Sequence, residues 1–335
     1  MPTGRILVTG GSGFVGGHLV RHLLETGSKC LVIDNLSTGS TNNLDLDNPH
    51  LEFRHGDVCA QELMADAVGR CDLVIHLAAA VGIKNVISNP MTTLRTNVDG
   101  VMNVAELASR ADVPVVYVSS SAVYQCGGSA RMTEYRETEI LHPNGSNPAS
   151  IYSETKLLGE AICEALRSRN GLRYIVVRPF NLIGTRQTSE YGMVVPTFIK
   201  QVLRGEAVTI YGDGMQSRTF SNVEHAVELL GRLIDATVFD GSIVNLAATD
   251  EEITILDLAY LIMDVIGREV PIKYVPYDEA YGTGYRDVPT RRPALDRLRQ
   301  LIGSWKAVPL DQTLASIVAH EKVAIKFEEM TVPGA

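Results

Sequence analysis

The chain has 335 residues, 45% of them hydrophobic, and a formal net charge of -9. That length and apolar content suit one large α/β domain or two smaller lobes with no need for disulfides. The acidic balance argues against nonspecific binding to nucleic acid or anionic membrane, and no apolar run reaches the ~18 residues of a membrane span.

Along the chain, the first apolar run is Ile6–Val8, inside a predicted strand Arg5–Thr9. Gly10-Gly11-Ser12-Gly13-Phe14-Val15-Gly16 follows, and a helix is predicted over Phe14–Thr26, with Phe14, Val15, Leu19, Leu23 and Leu24 at helical spacing. The glycines therefore sit at a strand-to-helix turn. Gly10 permits the tight turn, Gly13 lets backbone approach a pyrophosphate, and Gly16 lets helix and strand pack closely. The helix N-terminus supplies free N–H groups for phosphate. The strand Lys29–Ile33 ends in Asp34, placed to bind adenosine ribose hydroxyls. Further strands are predicted at Leu51–His55, Leu73–His76, Val115–Ser119 and Tyr174–Arg178, and helices at Ala60–Val68, Pro90–Ala111 and Ile151–Asn170.

This alternation predicts an α/β fold with a doubly wound parallel sheet. Ligands of such sheets lie beyond the carboxyl ends of the strands, where Gly10, Asp34, Asp57, His76, Ser120 and Asn181 would gather. Within Ile151–Asn170, Tyr152 and Lys156 lie four apart, on one helical face. A serine-rich strand end, Ser119-Ser120-Ser121, can meet that face. Hydroxyl, phenol and ammonium together make a proton-transfer site. His76 ends an apolar strand and is read as structural, and Cys126 as a packed, inert thiol.

After Arg178 the rhythm loosens. Loops are expected at Gly184–Gly192, Tyr211–Gln216 and Pro276–Pro293. A helix is expected near Thr197–Leu203, a strand near Val208–Ile210, a helix at Val223–Ala236 and a strand at Ile243–Leu246. The expected organisation is a cofactor domain over 1–178, a smaller substrate-binding lobe over 179–326 and a fraying tail over 327–335. The segment 223–246 is free to return to the main sheet. The five cysteines (Cys30, Cys59, Cys71, Cys126, Cys163) form no C-x-x-C pair, which suits reduced thiols in the cytoplasm and gives no metal site. The chain enters a strand almost at once, so no signal peptide is expected.

These residues resemble the extended short-chain dehydrogenase/reductase superfamily, in its nucleotide-sugar epimerase/dehydratase branch, over roughly residues 4–322. The marks are Gly10–Gly16, Asp34-Asn35-Leu36-Ser37-Thr38-Gly39, Gly56-Asp57-Val58, His76-Leu77-Ala78-Ala79, Thr96-Asn97-Val98, Ser119–Tyr124, Tyr152–Lys156 and Arg178-Pro179-Phe180-Asn181. Val195-Pro196-Thr197-Phe198, Tyr211-Gly212-Asp213-Gly214 and Arg218-Thr219-Phe220 extend it toward the C-terminus.

The resemblance implies a Rossmann fold, NAD as cofactor, a nucleotide-sugar substrate (UDP-linked) and a homodimer paired through the helices near Pro90–Ala111 and Ile151–Asn170. It implies Ser120, Tyr152 and Lys156 as the catalytic set. To the cofactor it assigns Gly10, Gly13, Phe14, Val15, Gly16, Asp34, Asn35, Ser37, Thr38, Gly39, Asp57, Val58, Leu77, Ala78, Ala79, Asn97, Ser119, Tyr152, Lys156 and Pro179. To the substrate it assigns Ser120, Ser121, Tyr152, Asn181, Val194, Thr209, Tyr211, Arg218 and Arg291. Both arginines suit a diphosphate. Arg186 is a further candidate, for a C6 carboxylate if the sugar is a glucuronic acid.

Three departures matter. Thirty-two positions separate Ser120 from Tyr152, more than is usual for the family, so an enlarged loop over Gly127–Ser150 is expected at the mouth of the site. Dehydratases and decarboxylases of the branch usually carry Glu where this chain has Ala122, which favours chemistry confined to C4, namely epimerisation. Ala294 stands where many relatives have Asp. A 4,6-dehydratase or decarboxylase is the alternative activity. A dehydrogenase releasing NADH, or a non-catalytic nucleotide-binding protein, is a further one.

Overall fold

A computed structural model describes residues 4–126, 134–142, 150–190, 192–281 and 287–331. The first half alternates β1 (Arg5–Thr9), α1 (Phe14–Glu25), β2 (Lys29–Asp34), β3 (Leu51–His55), α2 (Gln61–Val68) and β4 (Leu73–His76). Next come α3 (Ile83–Ser88), α4 (Pro90–Leu94), a π-helical turn (Arg95–Asp99), α5 (Gly100–Arg110), β5 (Val115–Val118), α6 (Ile151–Asn170) and β6 (Tyr174–Pro179). The second half holds β7 (Leu182–Ile183), α7 (Val194–Arg204), β8 (Val208–Tyr211), β9 (Ser217–Thr219), β10 (Ser221–Asn222), α8 (Val223–Ala236) and β11 (Asp240–Leu246). It closes with β12 (Glu252–Thr254), α9 (Ile255–Ile266), β13 (Ile272–Val275), α10 (Tyr277–Tyr281), α11 (Asp296–Ile302) and α12 (Leu310–Thr331), which continues through the expected tail to Thr331.

Seven parallel strands form the main sheet in the order β11-β6-β5-β4-β1-β2-β3. The two-residue period of a strand sends Ile6 and Val8 to one face, with α1 and α8, and Leu7 to the other, with α2, α5 and α6. Both faces are covered, so the central strands are apolar throughout. The segment 223–246 lies with the main sheet: α8 packs on α1, and β11 pairs with β6. A separate core, built from Phe198, Ile199, Val202, Ile210, Leu258, Ile262 and Leu314, holds the second lobe.

The helix expected over Pro90–Ala111 runs without a gap from Pro90 to Arg110, with a π-helical turn at Arg95–Asp99 inside it. The wider turn lets polar Asn97 point inward while Val101, Val104, Ala105 and Ala108 keep their places against the sheet. Residues 127–133 and 143–149 of the expected enlarged loop lie outside the described residues. Its middle, 134–142, runs beside the C-terminal segment: Tyr135 N donates to Arg292 O at 2.8 Å, and Ala294 N to Tyr135 O at 2.9 Å.

At the end of β4, His76 is fully enclosed. Its Nδ1 lies 2.8 Å from Thr9 Oγ1 and its ring stacks on Tyr117 at 6.1 Å. Burial, reinforced by the Lys156 cation, pushes its pKa down to about 3. Below pH ~6.5 the unfolded chain binds a proton that the folded chain refuses. This stability is therefore complete above that pH and is lost as pH falls toward 3, reaching roughly 3 kcal/mol by about pH 4. We expect the urea unfolding free energy to fall over this range, and to fall less steeply in His76→Asn. Parallel curves for the two proteins would contradict the assignment.

Candidate active site

The strand order reverses between β1 and β4, and in such sheets the ligand crevice lies at that point, beyond the strands' carboxyl ends. Gly10 sits on one side with φ +71°, and a Cβ on it would stand 2.7 Å from Ala78 N on the other. Gly16 passes so close to the turn that a Cβ would meet Gly10 O at 2.2 Å. Gly13, the N-cap of α1, differs: a Cβ there would meet only Gly10 O, at 3.3 Å. The space over the loop is thus open, and the first-turn N–H groups of Phe14 and Val15 have no intrahelical acceptor. This is a cradle for a pyrophosphate.

Asp34, at the end of β2, accepts from Ser12 N at 2.9 Å and Leu36 N at 2.8 Å. Asn35 donates to Asp57 at 2.8 Å. Burial would raise the Asp57 pKa, but bonds from Cys59 and Asn35 outweigh it and hold the carboxyl below its ordinary range. Ser37 N donates to Asn35 Oδ1 at 3.1 Å, and Gly39 abuts Ser12, where a Cβ would come within 2.9 Å. Thr38 lies between them. Val58 is buried. Leu77 N and Ala78 N donate to Thr9 O and Oγ1 at 3.1 and 3.3 Å, so Leu77, Ala78 and Ala79 line the β4 side of the crevice. The residues read from the sequence as ligands of the adenosine and diphosphate thus follow the carboxyl ends of β1, β2, β3 and β4.

Across the crevice, β5 ends at Val118 and α6 begins at Ile151. Ser120 lies close enough to Tyr152 for its hydroxyl to lower the phenol pKa, against a larger upward push from burial. Lys156, one turn along the same face, donates from Nζ to Val118 O at 2.8 Å and lies 5.2 Å from the Tyr117 ring centroid. Burial brings its pKa down to about 8, with Glu160 opposing, so it is an ammonium at neutral pH. Asn97 locks this corner: its Oδ1 accepts from Ala80 N at 2.8 Å and its Nδ2 donates to Thr155 Oγ1 at 3.0 Å. Ser119 and Ser121 are buried beside Ser120, and Pro179 ends the neighbouring β6.

Sequence reading missed what stands behind this set. Glu160, a turn beyond Lys156, accepts from Ser119 Oγ at 2.5 Å and from Arg178 Nε and Nη2 at 2.9 and 2.6 Å. Breaking such a buried pair costs about 3–5 kcal/mol. The available signal was its spacing, Tyr152, Lys156 and Glu160 falling at i, i+4 and i+8. Asn245, in β11, was missed too. It accepts from Tyr124 OH at 2.7 Å and donates to Tyr135 O at 2.9 Å and Ala294 O at 3.2 Å.

On the second lobe, Arg218 is buried and paired with Asp287 at 2.6 Å. Tyr135 is buried against Tyr124, ring centroids 5.0 Å apart, and feels the charges of Arg291, Arg218 and Asp287. These residues form one charged cluster. Asn181 Nδ2 donates to Thr219 O at 2.9 Å, and Thr209 exchanges two bonds with Gln201 at 3.1 Å each. Val194 opens α7 and Tyr211 ends β8. Arg186 stands apart from the cluster. At φ +69° its exposed side chain crosses to Asn43 O at 3.2 Å, beside Arg21 and Glu224.

Comparison with known proteins agrees with this geometry. The family model described as NAD dependent epimerase/dehydratase family matches residues 6–247. A UDP-glucuronic acid decarboxylase 1 from Danio rerio is 34% identical, over 94% of this chain and 72% of the relative. The crystal structure of UDP-glucose 4-epimerase from Thermotoga maritima with UDP-glucose superposes with a TM-score of 0.85 at 29% identity, covering 96% of this chain and 99% of that one. A dTDP-glucose 4,6-dehydratase from Streptomyces venezuelae with NAD bound gives a TM-score of 0.86 at 27% identity, covering 96% and 98%. The cofactor is NAD, and the open cradle over Gly13 with Asp34 beyond it fits that group.

Asp34 carries a negative charge where an adenosine 2′-phosphate would come, and no Arg follows in Asn35-Leu36-Ser37-Thr38 to offset it. NAD(H) should bind at least about tenfold more tightly than NADP(H), a difference of about 1.4 kcal/mol. Asp34→Ala should narrow the gap. Tighter NADP(H) in a fluorescence titration of the wild-type protein would overturn this.

Proposed function

The chain belongs to the NAD dependent epimerase/dehydratase family, and from that premise we propose that it inverts C4 of a nucleotide-diphosphate hexose, a UDP-sugar, through a transient 4-keto sugar. The observation that carries this reading is Ala122. It follows Ser120 by two positions, its N–H donates to Ser120 Oγ at 3.1 Å, and it brings no carboxylate to the site. The carboxylates of neighbouring segments are engaged: Glu137 accepts from Asn245 N, Glu154 from Ser150 Oγ, and Glu160 from Ser119 and Arg178. Elimination of water needs an acid at C6 and a base at C5. Chemistry at C4 needs only the groups on α6 and Ser120.

NAD, when bound, supplies a reversible hydride acceptor. Tyr152 removes the proton from the sugar O4 and returns it after inversion, while Ser120 holds that hydroxyl. A free tyrosine titrates near pH 10, and burial keeps Tyr152 above its ordinary value. The Ser120 hydroxyl works against that rise, and the Lys156 ammonium, one turn along the same helix, would add a favourable charge. Arg218 and Arg291 hold the diphosphate, so the sugar ring can turn over while its nucleotide stays bound.

One observation favours a second reading, UDP-glucuronate decarboxylation: the Danio rerio relative carries that name. Oxidation at C4 of a glucuronic acid gives a β-keto acid, which loses carbon dioxide unless its carboxylate is held out of alignment. The two readings separate on incubation with UDP-glucose, UDP-N-acetylglucosamine and UDP-glucuronic acid, with products identified by NMR. We expect a mixture of C4 epimers, retention of a C4 deuterium and no carbon dioxide. Tyr152→Phe should bind the sugar nucleotide yet lose at least about 100-fold in turnover. Stoichiometric carbon dioxide from UDP-glucuronic acid would reject epimerisation in favour of decarboxylation.

We further propose a homodimer. Ile87, Met91, Leu94, Met102 and Leu158 are exposed on α3, α4, α5 and α6, and such a patch is the kind that a second copy covers. Among the described residues no helix is long and apolar enough to cross a membrane. Light scattering at micromolar concentration should give twice the 36.4 kDa chain mass, and Met91→Glu should shift the protein toward the monomer.

A further inference from the structure

We propose that Glu160 is a positioning residue for Ser120 and Lys156, acting on the first through Ser119 and on the second through its charge. The inference rests on the reading of Ser120, Tyr152 and Lys156 as the catalytic set. Three groups converge on this carboxylate. Oε1 accepts from Ser119 Oγ at 2.5 Å and Arg178 Nε at 2.9 Å, and Oε2 accepts from Arg178 Nη2 at 2.6 Å. All three residues are buried.

Ser119 lies between the two residues that matter to the site. Before it, Val118 O receives the Lys156 ammonium at 2.8 Å. After it comes Ser120, whose hydroxyl acts on the Tyr152 phenol. The Ser119 backbone N–H is already held by Val177 O at 2.8 Å. The bond to Glu160 adds a hold from α6, so the end of β5 is tied both to β6 and to the helix that carries Tyr152 and Lys156. A buried ion pair adds little net stability over an apolar replacement of the same shape. What it fixes here is the height of Ser120 and of the Val118 carbonyl relative to α6.

The charge has a second effect. The titratable and charged groups around Lys156 are His76 on β4, Tyr117 on β5, Tyr152 and Glu160 on α6, and Arg178 on β6 behind Glu160. Burial keeps His76 neutral and Tyr117 a phenol at neutral pH. Glu160 is therefore the one anion of this group, and it opposes the burial that draws the lysine proton away. Without it, Arg178 would add repulsion to desolvation.

The test reads the lysine directly, in purified protein carrying carbon-13-labelled lysine, with the Lys156 signal assigned by its loss in Lys156→Met. In wild type the signal should titrate near pH 8. In Glu160→Gln, which keeps the shape, the midpoint should fall by about one pH unit, a tenfold change in proton affinity. The double variant Glu160→Gln/Arg178→Met, which leaves no buried unpaired cation, should also titrate below wild type. Ser119→Ala, which keeps the charge, should leave the midpoint in place but lower kcat about tenfold at unchanged KM. A wild-type midpoint in both Glu160 variants, or wild-type kcat in Ser119→Ala, would overturn the proposal. The titration needs no sugar substrate, so it is independent of the reaction assignment, and full turnover in Lys156→Met would instead defeat the catalytic reading itself.

Discussion

An ammonium buried at the carboxyl end of a parallel sheet is the constraint around which this site is organised. Lys156 gives up most of its hydration, and the structure replaces it with the Val118 carbonyl, the Tyr117 ring and the Glu160 charge. Each replacement demands close approach of α6 to β5. Gly159 permits it, since a Cβ there would stand 2.1 Å from the Tyr117 hydroxyl, which donates to Lys156 O at 3.2 Å. On the other side the π-helical turn delivers Asn97 to Thr155. The catalytic helix is thus held by β5, by β6 through Arg178 and by the Asn97 turn. Tyr152, at its first turn, inherits a position that three elements define.

Most of the main sheet was legible in the sequence, because the signals there are local. β1, β3 and β4 and helices α6 and α8 fall within the residues predicted for them, since apolar period and turn residues agree along those segments. The glycine turn and Asp34 were legible for the same reason: strand, turn and helix are contiguous. Most of what escaped was set by tertiary contacts. The π-helical turn at Arg95–Asp99 goes with an inward Asn97, which an apolar period cannot report. Helix α9 was missed although Thr254 caps it, accepting from Asp257 N at 3.0 Å, and Gly267 closes it at φ +74°. Its buried Ile255, Leu258, Ala259, Ile262 and Met263 recur at helical spacing with Asp257, Tyr260 and Asp264 exposed between them, so the apolar period was there to be read. Glu160, Arg178 and Asn245 look like ordinary polar residues until the fold buries them together.

The named relatives are a decarboxylase, an epimerase and a dehydratase on one scaffold. Oxidation at C4 opens all three reactions, so the groups serving that step do not tell them apart. Discrimination falls to the few side chains that face the sugar beyond C4. On the proposed reading one such position is Ala122, a methyl group, while the Arg186 side chain donates to Asn43 O. On that reading the sugar meets the hydroxyls of Ser120, Ser121 and Tyr152. Hydroxyls can hold and relay a proton at O4, but they offer no strong base for carbon.

The two rims of the crevice differ in how they are held. The cofactor rim is fixed by backbone: the close contacts of Gly10 and Gly16, and the two N–H bonds that pin Asp34. Its shape is set before anything binds. The substrate rim is held by charge, with the buried Arg218 guanidinium satisfied by Asp287 and Ser217 O, and it rests on a lobe with its own core. On the proposed reading, a diphosphate entering there competes with a carboxylate already in place. It can do so because it offers more charge and more acceptor oxygens to the same planar donors. Until then Asp287 keeps a buried cation from standing unpaired, whose cost would otherwise fall on the fold. On that reading the group that stays sits on a rim fixed by backbone, and the group that comes and goes meets an ion pair it can displace.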